Sequence, residues 1–438
     1  MPAPNYINEK DEFAKTVRTI RWSIALVLFA STVINYMDRQ SLAVLGPFLQ
    51  RDFHWNNRQF AWLLISFRFA YAAGQMLTGR LVDKFGTRRA LSWSVLWYSV
   101  AALLAPLASG LRSLCTFRFL LGAGESANWP AATKAVAEWF PRQERGWAVA
   151  LFDSGSSVGA AIAPVLVLSV YHLSGNWRPA IAAPGILGLV WLLVWRLVYH
   201  SPQRHPRLTP EQRQSMLAME QDEKSDSGHS WLALLRMRST WGIILGRSST
   251  DPYWYFIADW FAIYLASRKV ALEAGILGFW LPFLAADAGN FLGGGVSSWL
   301  VRRGWNVILA RKAVIIASAI GMLLLIPAAF AAQLSMIVML FSFSTCCYAA
   351  WSTMALTLPS DIFRSGSVAS VSGLSGSGAG LATVASTWLI GWTADRYSFR
   401  PILIVASLVP LLATILVLVL VSNTTKTRFG STNLHETA

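Results

Sequence analysis

Charge is scarce in this chain. Only 13% of its 438 residues are Asp, Glu, Lys or Arg, about half the share usual in soluble domains. Fully 54% are hydrophobic and the mean hydropathy is +0.45, which excludes an ordinary water-soluble enzyme and makes a bilayer the expected solvent. Cysteine is nearly missing as well. Cys115, Cys346 and Cys347 have no metal or redox spacing and read as packing residues. No His-Glu metal motif or nucleophile-base pair falls at the predicted midplane, so an intramembrane enzyme is not expected and no metal or cofactor is implied. No small-residue cleavage site follows the first apolar run, so that run is expected to stay as an anchor.

Aromatic and basic residues are what the chain does have. Its 21 tryptophans and 23 phenylalanines suit belts at two membrane faces. The formal charge of +15 invites a nucleic-acid partner, but the basic residues are spread over short connections instead of one domain or stripe, which excludes it.

Apolar segments long enough to cross the hydrocarbon layer fall near 20–48, 59–82, 90–109, 113–139, 146–171 and 178–199. Six more fall near 241–266, 275–300, 309–330, 334–358, 366–394 and 399–421. The sequence therefore predicts an all-α membrane protein of twelve transmembrane helices. Its organisation is a tail at 1–19, a six-helix bundle at 20–199, a polar linker at 200–238, a second bundle at 239–421 and a tail at 422–438. Lys and Arg number 24 on the side of the termini and linker against eight on the other, which puts both termini and the linker in the cytoplasm.

The halves repeat each other. "AGQMLTGRLVDKFGTRR" leaves the second span and "AGNFLGGGVSSWLVRRG" the eighth, so that Gly74 matches Gly289, Gly79 matches Gly294, and Asp83 falls on Ser298. "SGSSVG" at 154–159 likewise has a counterpart in "SGSGAG" at 375–380. Such halves are the design of a transporter that rocks about a site between them.

Gly79 to Arg89, "GRLVDKFGTRR", resembles the loop between the second and third helices of the major facilitator superfamily. "INYMDRQSLAVLGPFLQ", the stretch from "RFLLGAGESANWP" to "SSVGAAIAP", "DPYWYF" and "LPSDIF" are similar to its anion:cation symporter branch, in particular hexuronate and galactonate transporters. The resemblance implies two pseudo-symmetric six-helix bundles, the major facilitator fold, and proton-coupled import of a sugar acid in a bacterial inner membrane. It also implies coupling through the first-helix Asp38 and the fourth-helix Glu125.

Each charged group near a helix centre costs about 2.5–3.5 kcal/mol on insertion scales, so the buried charges mark the site. The deepest are Asp38, Arg39, Arg68, Arg118, Glu125 and Asp153, then Arg247, Asp251, Asp259 and Asp287. Arg39 offers a planar bidentate seat for a carboxylate; its alternative is an ion pair with Asp38 or another helix. Asp38 and Glu125 are candidate proton carriers, or members of static ion pairs. Arg118 lies seven residues before Glu125 on the same helix face and is assigned to coupling. Tyr71, Gln75 and Asn128 can serve a polyol, while Trp254 and Tyr255 can stack on it or close an outer gate. Ser156 is a further candidate contact. Ser375 is a candidate too, although its small-residue stretch equally suits helix packing. Asp83, Arg88, Arg89, Arg142 and Arg145 are expected to lock the halves on the inner side, with the weaker second-half lock depending on Asp361 and Arg364.

Some positions depart from the resemblance. Tyr348, Ala349 and Met354 replace a His-Gln pair and an Asn, Ala262-Ile263 replaces Pro-Lys, and Asp153 stands where an Asn is expected. Arg68 and Asp259 appear where apolar residues are usual, and Arg68 is a candidate second anion seat. The expected solute is thus smaller, less hydroxylated or more aromatic than a hexuronate. The expected partners are this organic anion, protons and the lipid bilayer, with the chain acting as a monomer. Two other readings remain open here: an organophosphate/phosphate exchanger using Arg39 and Arg247, and a non-transporting membrane sensor.

Overall fold

The computed structural model describes residues 4–210, 212–214, 230–267 and 276–422. Every regular element among them is helical. In the first half these are α1 (Pro4–Phe53), α2 (Asn57–Phe85), α3 (Thr87–Leu104), α4 (Leu111–Glu125), α5 (Asn128–Trp139), α6 (Arg142–Ser174) and α7 (Trp177–Val198). After α8 (Trp231–Arg236), a short helix in the linker, the second half has α9 (Arg238–Ser267), α10 (Ile276–Arg302), α11 (Val307–Met322) and α12 (Leu325–Phe330). It closes with α13 (Leu334–Ile362), α14 (Ser365–Arg396) and α15 (Phe399–Leu420).

Two predicted spans are broken in the middle, because proline lacks an N–H and its ring crowds the carbonyl four residues earlier. Pro130 sits at the start of α5 and Pro327 at the start of α12, so α4–α5 and α11–α12 are each one span with a kink. Nine helical segments among the described residues are long and apolar enough to cross a membrane by composition alone. The remaining three spans are α4–α5, which holds the other break together with Arg118 and Glu125, α9, which holds Arg247 and Asp251, and α10, which holds Asp287. Large apolar side chains on the outside, such as Leu173, Trp388, Phe69 and Trp93, are exposed. In a soluble protein so much exposed apolar surface would drive association; here it suits lipid.

Each half has its own apolar core. One is built on Trp139, Trp195, Phe152 and Tyr98, another on Phe256, Phe261, Phe341 and Tyr264. The halves meet along two seams, α2 against α14 and α6 against α10. The pairing exchanges second and fifth spans between halves, as a pseudo-twofold requires. The repeated glycines Gly79 and Gly294 lie on these seams. A Cβ at Gly146 would come within 2.9 Å of the Gly294 carbonyl oxygen, and one at Gly79 would overlap that of Ala369. Gly74 and Gly289 do the equivalent job inside each half, packing on Ser126 and on Cys346. Small residues here let backbones touch where a methyl group would separate them.

Candidate functional site

Between the halves lies a cavity of about 270 Å³. From the first half its wall includes Tyr36, Arg39, Arg68, Tyr71, Gln75, Arg118, Trp129, Asp153 and Ser156. From the second half come Arg247, Asp251, Trp254, Tyr255, Asn290 and Tyr348. Most of the expected ligand contacts are therefore on one surface, although their helices are far apart in sequence.

Arg39 is held from behind. Its Nε donates to Glu125 Oε2 at 2.8 Å, and Glu125, the last residue of α4, is fully buried at the kink. The guanidinium carbon lies 4.3 Å from the Tyr71 ring centroid and 5.0 Å from that of Tyr36, so aromatic faces share its charge. Arg39 Nη2 and Glu125 Oε1 are buried without hydrogen-bond partners. Of the two alternatives for Arg39, the structure shows an ion pair with another helix and a place on the cavity wall together.

Asp38 points elsewhere, as side chains about 100° apart on a helix must. It is 2% exposed, lies 3.9 Å from Arg118 Nη1, and borders a separate void of about 10 Å³ that Arg118 also lines. Arg118 thus stands between the void and the cavity, with its guanidinium 4.7 Å from the Phe67 ring. Asp38 and Glu125 sit behind the cavity wall, not on it.

Two expected ligand contacts are also displaced. Asn128 is buried against α1, accepting from Ser31 Oγ at 2.6 Å and donating to Thr32 Oγ1 at 3.3 Å. Ser375 is fully buried and accepts from Arg247 Nη1 at 3.1 Å. Both are used up by packing. Arg247 also donates through Nη2 to Asp251 Oδ2 at 2.8 Å, one turn away on α9. Arg68 meets the Tyr255 ring across the halves at 5.5 Å. The side chains of Asp259, Ala262 and Ile263 lie outside the described residues.

On the linker side the halves are pinned by charge. Asp83 Oδ1 accepts from Lys134 Nζ at 3.1 Å, and its Oδ2 takes the Ser370 amide near the start of α14 at 2.7 Å. Arg145 reaches the Ser360 carbonyl and lies 3.4 Å from Asp361 Oδ1. Asp361 Oδ2 accepts from Arg311 Nε at 2.9 Å, and Arg311 Nη2 donates to the Arg142 carbonyl at 2.8 Å. Asp83, Arg145 and the backbone of Arg142 thus join the halves. Arg88 does not: its Nη2 donates to the Arg196 carbonyl at 2.5 Å, tying α3 to α7 within one half, and Arg89 is exposed.

The reading from sequence missed Lys134 and Arg311. Lys134 was a charge inside a predicted span, toward its linker-side end, a signal that was there to be used. Arg311 looked like one of the basic residues of a loop, whereas it is fully buried inside α11. The aromatic wall of Tyr36 and Trp129 was also unmarked, since aromatic residues occur everywhere in this chain, and Tyr348 was noted only as a departure from the resemblance.

Comparison with known proteins follows the same lines. A family model described as Major Facilitator Superfamily matches residues 28–310. The hexuronate transporter of Escherichia coli (strain K12) is 29% identical over 93% of this chain and 96% of that protein. A probable galactarate/D-glucarate transporter of the same strain is 30% identical over 92% and 94%. Among solved structures, a proton:xylose symporter bound to 6-bromo-6-deoxy-D-glucose superposes with a TM-score of 0.77 over 92% of this chain and 96% of that one. At 15% identity, this is a likeness of fold.

Proposed function

Because the chain belongs to the major facilitator superfamily, a family of membrane transporters and not enzymes, we propose that it is a proton-coupled symporter importing a carboxylated sugar or related organic anion. The membrane proposed is a bacterial inner membrane, with both termini and the linker in the cytoplasm, and the working unit is a monomer. The domain limits proposed are those of the sequence: bundles at 20–199 and 239–421 joined by the linker at 200–238.

The observation that carries this reading is the Arg39–Glu125 pair. A guanidinium on the cavity wall has its charge balanced by a fully buried carboxylate that still has one oxygen unpaired. An ionised Glu125 holds Arg39 and leaves it little attraction for an anion. A proton on Glu125 ends that pairing, and the freed N–H groups of Arg39 then suit an incoming carboxylate. Carrying anion and proton together keeps the net charge of the dehydrated site constant, and so keeps its transfer between conformations affordable. Asp38, facing Arg118 across its own small void, is the second proton-carrying group in this reading. Gln75, Tyr71 and Ser156 serve the hydroxyls, and Trp254 and Tyr255 cover the solute.

With the linker in the cytoplasm, the seams and the Asp83, Arg145 and Arg311 contacts are an inner gate in its closed position. The likeness to relatives named for hexuronate and for galactarate/D-glucarate supports the sugar-acid class. Uptake into proteoliposomes across a panel of uronates and aldonates under an imposed pH gradient tests the proposal: the wild type should accumulate at least one. Solute uptake without any proton movement would remove the coupling.

An exchanger of organophosphate for phosphate is favoured by one observation, the presence of Arg39 and Arg247 from opposite halves on one cavity. Each of these arginines already holds a carboxylate, which such an exchanger does not need. Uptake that requires internal phosphate and ignores the proton gradient would restore that reading.

A further inference from the structure

The second half contains an arginine–carboxylate pair to which the account above gives no task. Arg247 and Asp251 are one helical turn apart on α9 and both line the cavity. Each is 8% exposed. Asp251 Oδ2 accepts from Arg247 Nη2, while Asp251 Oδ1 and Arg247 Nε are buried with no hydrogen-bond partner. Arg39 and Glu125 show the same unfinished state, with Nη2 and Oε1 unpaired. Unpaired buried donors and acceptors are costly, so their repetition in two arginine–carboxylate pairs, one on the cavity wall and one reaching just behind it, marks arginines suited to an anion and carboxylates suited to a proton.

Charge leads to the same place. Arg39, Arg68, Arg118 and Arg247 lie on the wall; Asp153 and Asp251 lie on it with them, and Asp38 and Glu125 lie just behind. With all of these ionised, positive and negative groups balance. Protons on Glu125 and Asp251 would free one arginine in each half and leave two positive charges. A solute with one acid group would cover only one of them.

We propose that Arg247 is a second carboxylate seat, closed by Asp251 and opened when Asp251 takes a proton, so that the preferred solute is a dicarboxylate held by Arg39 in one half and Arg247 in the other. This rests on the anion-carrier reading above and names its substrate class. A solute tied to both halves also gives the inner gate a reason to respond to occupancy, since each half then feels one end of the same molecule. The groups facing Asp251 are Arg247 on its own helix, Asp153 from α6, Tyr348 from α13 and Tyr255 on α9, with Tyr71 from α2 facing Arg247. Asp287 from α10 faces Asp153.

Galactonate and galactarate form a matched pair, differing in whether one or both ends are acids. In proteoliposomes at pH 6 the apparent KM for galactarate should be roughly tenfold below that for galactonate, because a seat built for two acids leaves buried donors unpaired when one is missing. Arg247→Gln should raise the galactarate KM by about tenfold and the galactonate KM by much less, bringing the two together. Asp251→Asn keeps Arg247, and should reduce the pH dependence of galactarate uptake between pH 6 and pH 8 to that of galactonate. If the wild type carries galactonate and shows no preference for galactarate, the second seat is wrong while the carrier reading stands. The same holds if Arg247→Gln raises both KM values equally, or if Asp251→Asn keeps the wild-type difference in pH dependence. Should Arg247→Gln fail to insert in the membrane, the Asp251→Asn result decides alone. Transport of neither acid by the wild type would count against the carrier reading itself.

Discussion

Arg39 shows how a charge can be kept in a dehydrated place and still be available. Its partner Glu125, the rings of Tyr71 and Tyr36, and the cavity each take part of the burden of its burial. Removing only one member of such a pair leaves the other uncompensated, at a cost of about 3–5 kcal/mol. Arg39→Ala is therefore expected to abolish uptake and to lower the thermal midpoint of the purified protein by several degrees, whereas Arg39→Ala combined with Glu125→Gln should regain stability without regaining uptake. Thermal unfolding of the three proteins checks this; equal midpoints would mean that the pair is not mutually compensating. Much of this was legible in the sequence, because a charge in an apolar run announces itself. What was not legible is on which side of a helix wall each charge falls. Asp38 and Glu125 are equally acidic letters in a span, but only side-chain direction shows them behind the cavity, and Asn128 and Ser375 are polar letters already satisfied by Ser31, Thr32 and Arg247.

Most helix limits were read to within a few residues from apolar length, but α1 begins at Pro4, well before the span expected from residue 20, because its first turns are polar. The kinks at Pro130 and Pro327 were not read, since proline in a membrane helix is often tolerated with little bending. The seams were visible as repeated glycines before their purpose was. At Gly146 the close approach to Gly294 leaves no room for a side chain. Gly146→Val is expected to keep the linker side from closing, and to lower uptake severalfold without loss of expression. Labelling of a cysteine placed at Ser297, which lies beside Arg311 in the closed gate, should rise; unchanged labelling would mean that the seam is not needed for closure. The linker carries a pH-sensitive contact of its own. His205 packs on Trp139 and on His200, and burial, followed by the nearby His200, Arg207 and Arg213, pushes its pKa down from 6.5 to about 4. A lowered folded value means that the undocked segment binds the proton more readily. The contribution of this contact to docking is thus fully present above about pH 6.5 and is lost as pH falls toward 4. The protection factors of residues 200–210, which take out the intrinsic pH dependence of exchange, should fall over that window, and His205→Phe should remove most of that fall.

For the whole molecule, composition alone sets the inside-out arrangement of apolar surface and charged interior, and the internal repeat sets two halves about a shared cavity. Sequence could not say that the linker side is shut in this conformation, because the shutting contacts join residues such as Arg145 and Asp361 that only the packed halves bring together. Neutralising that contact with Asp361→Asn is expected to leave two arginines, Arg145 and Arg311, facing each other unbalanced, and to shift the resting population toward an open linker side. The same cysteine labelling should then rise in the absence of solute, and a label rate equal to the wild type would assign gate closure to the glycine seams and the Asp83 contacts. The central claim is that an anion and a proton share the Arg39–Glu125 site. Its most direct test is proton flux recorded by a pH-sensitive dye inside proteoliposomes while a sugar acid is added outside. The account predicts acidification in step with uptake for the wild type, neither for Arg39→Ala, and solute exchange without accumulation for Glu125→Gln; accumulation by Glu125→Gln against a gradient, with acidification intact, would contradict it.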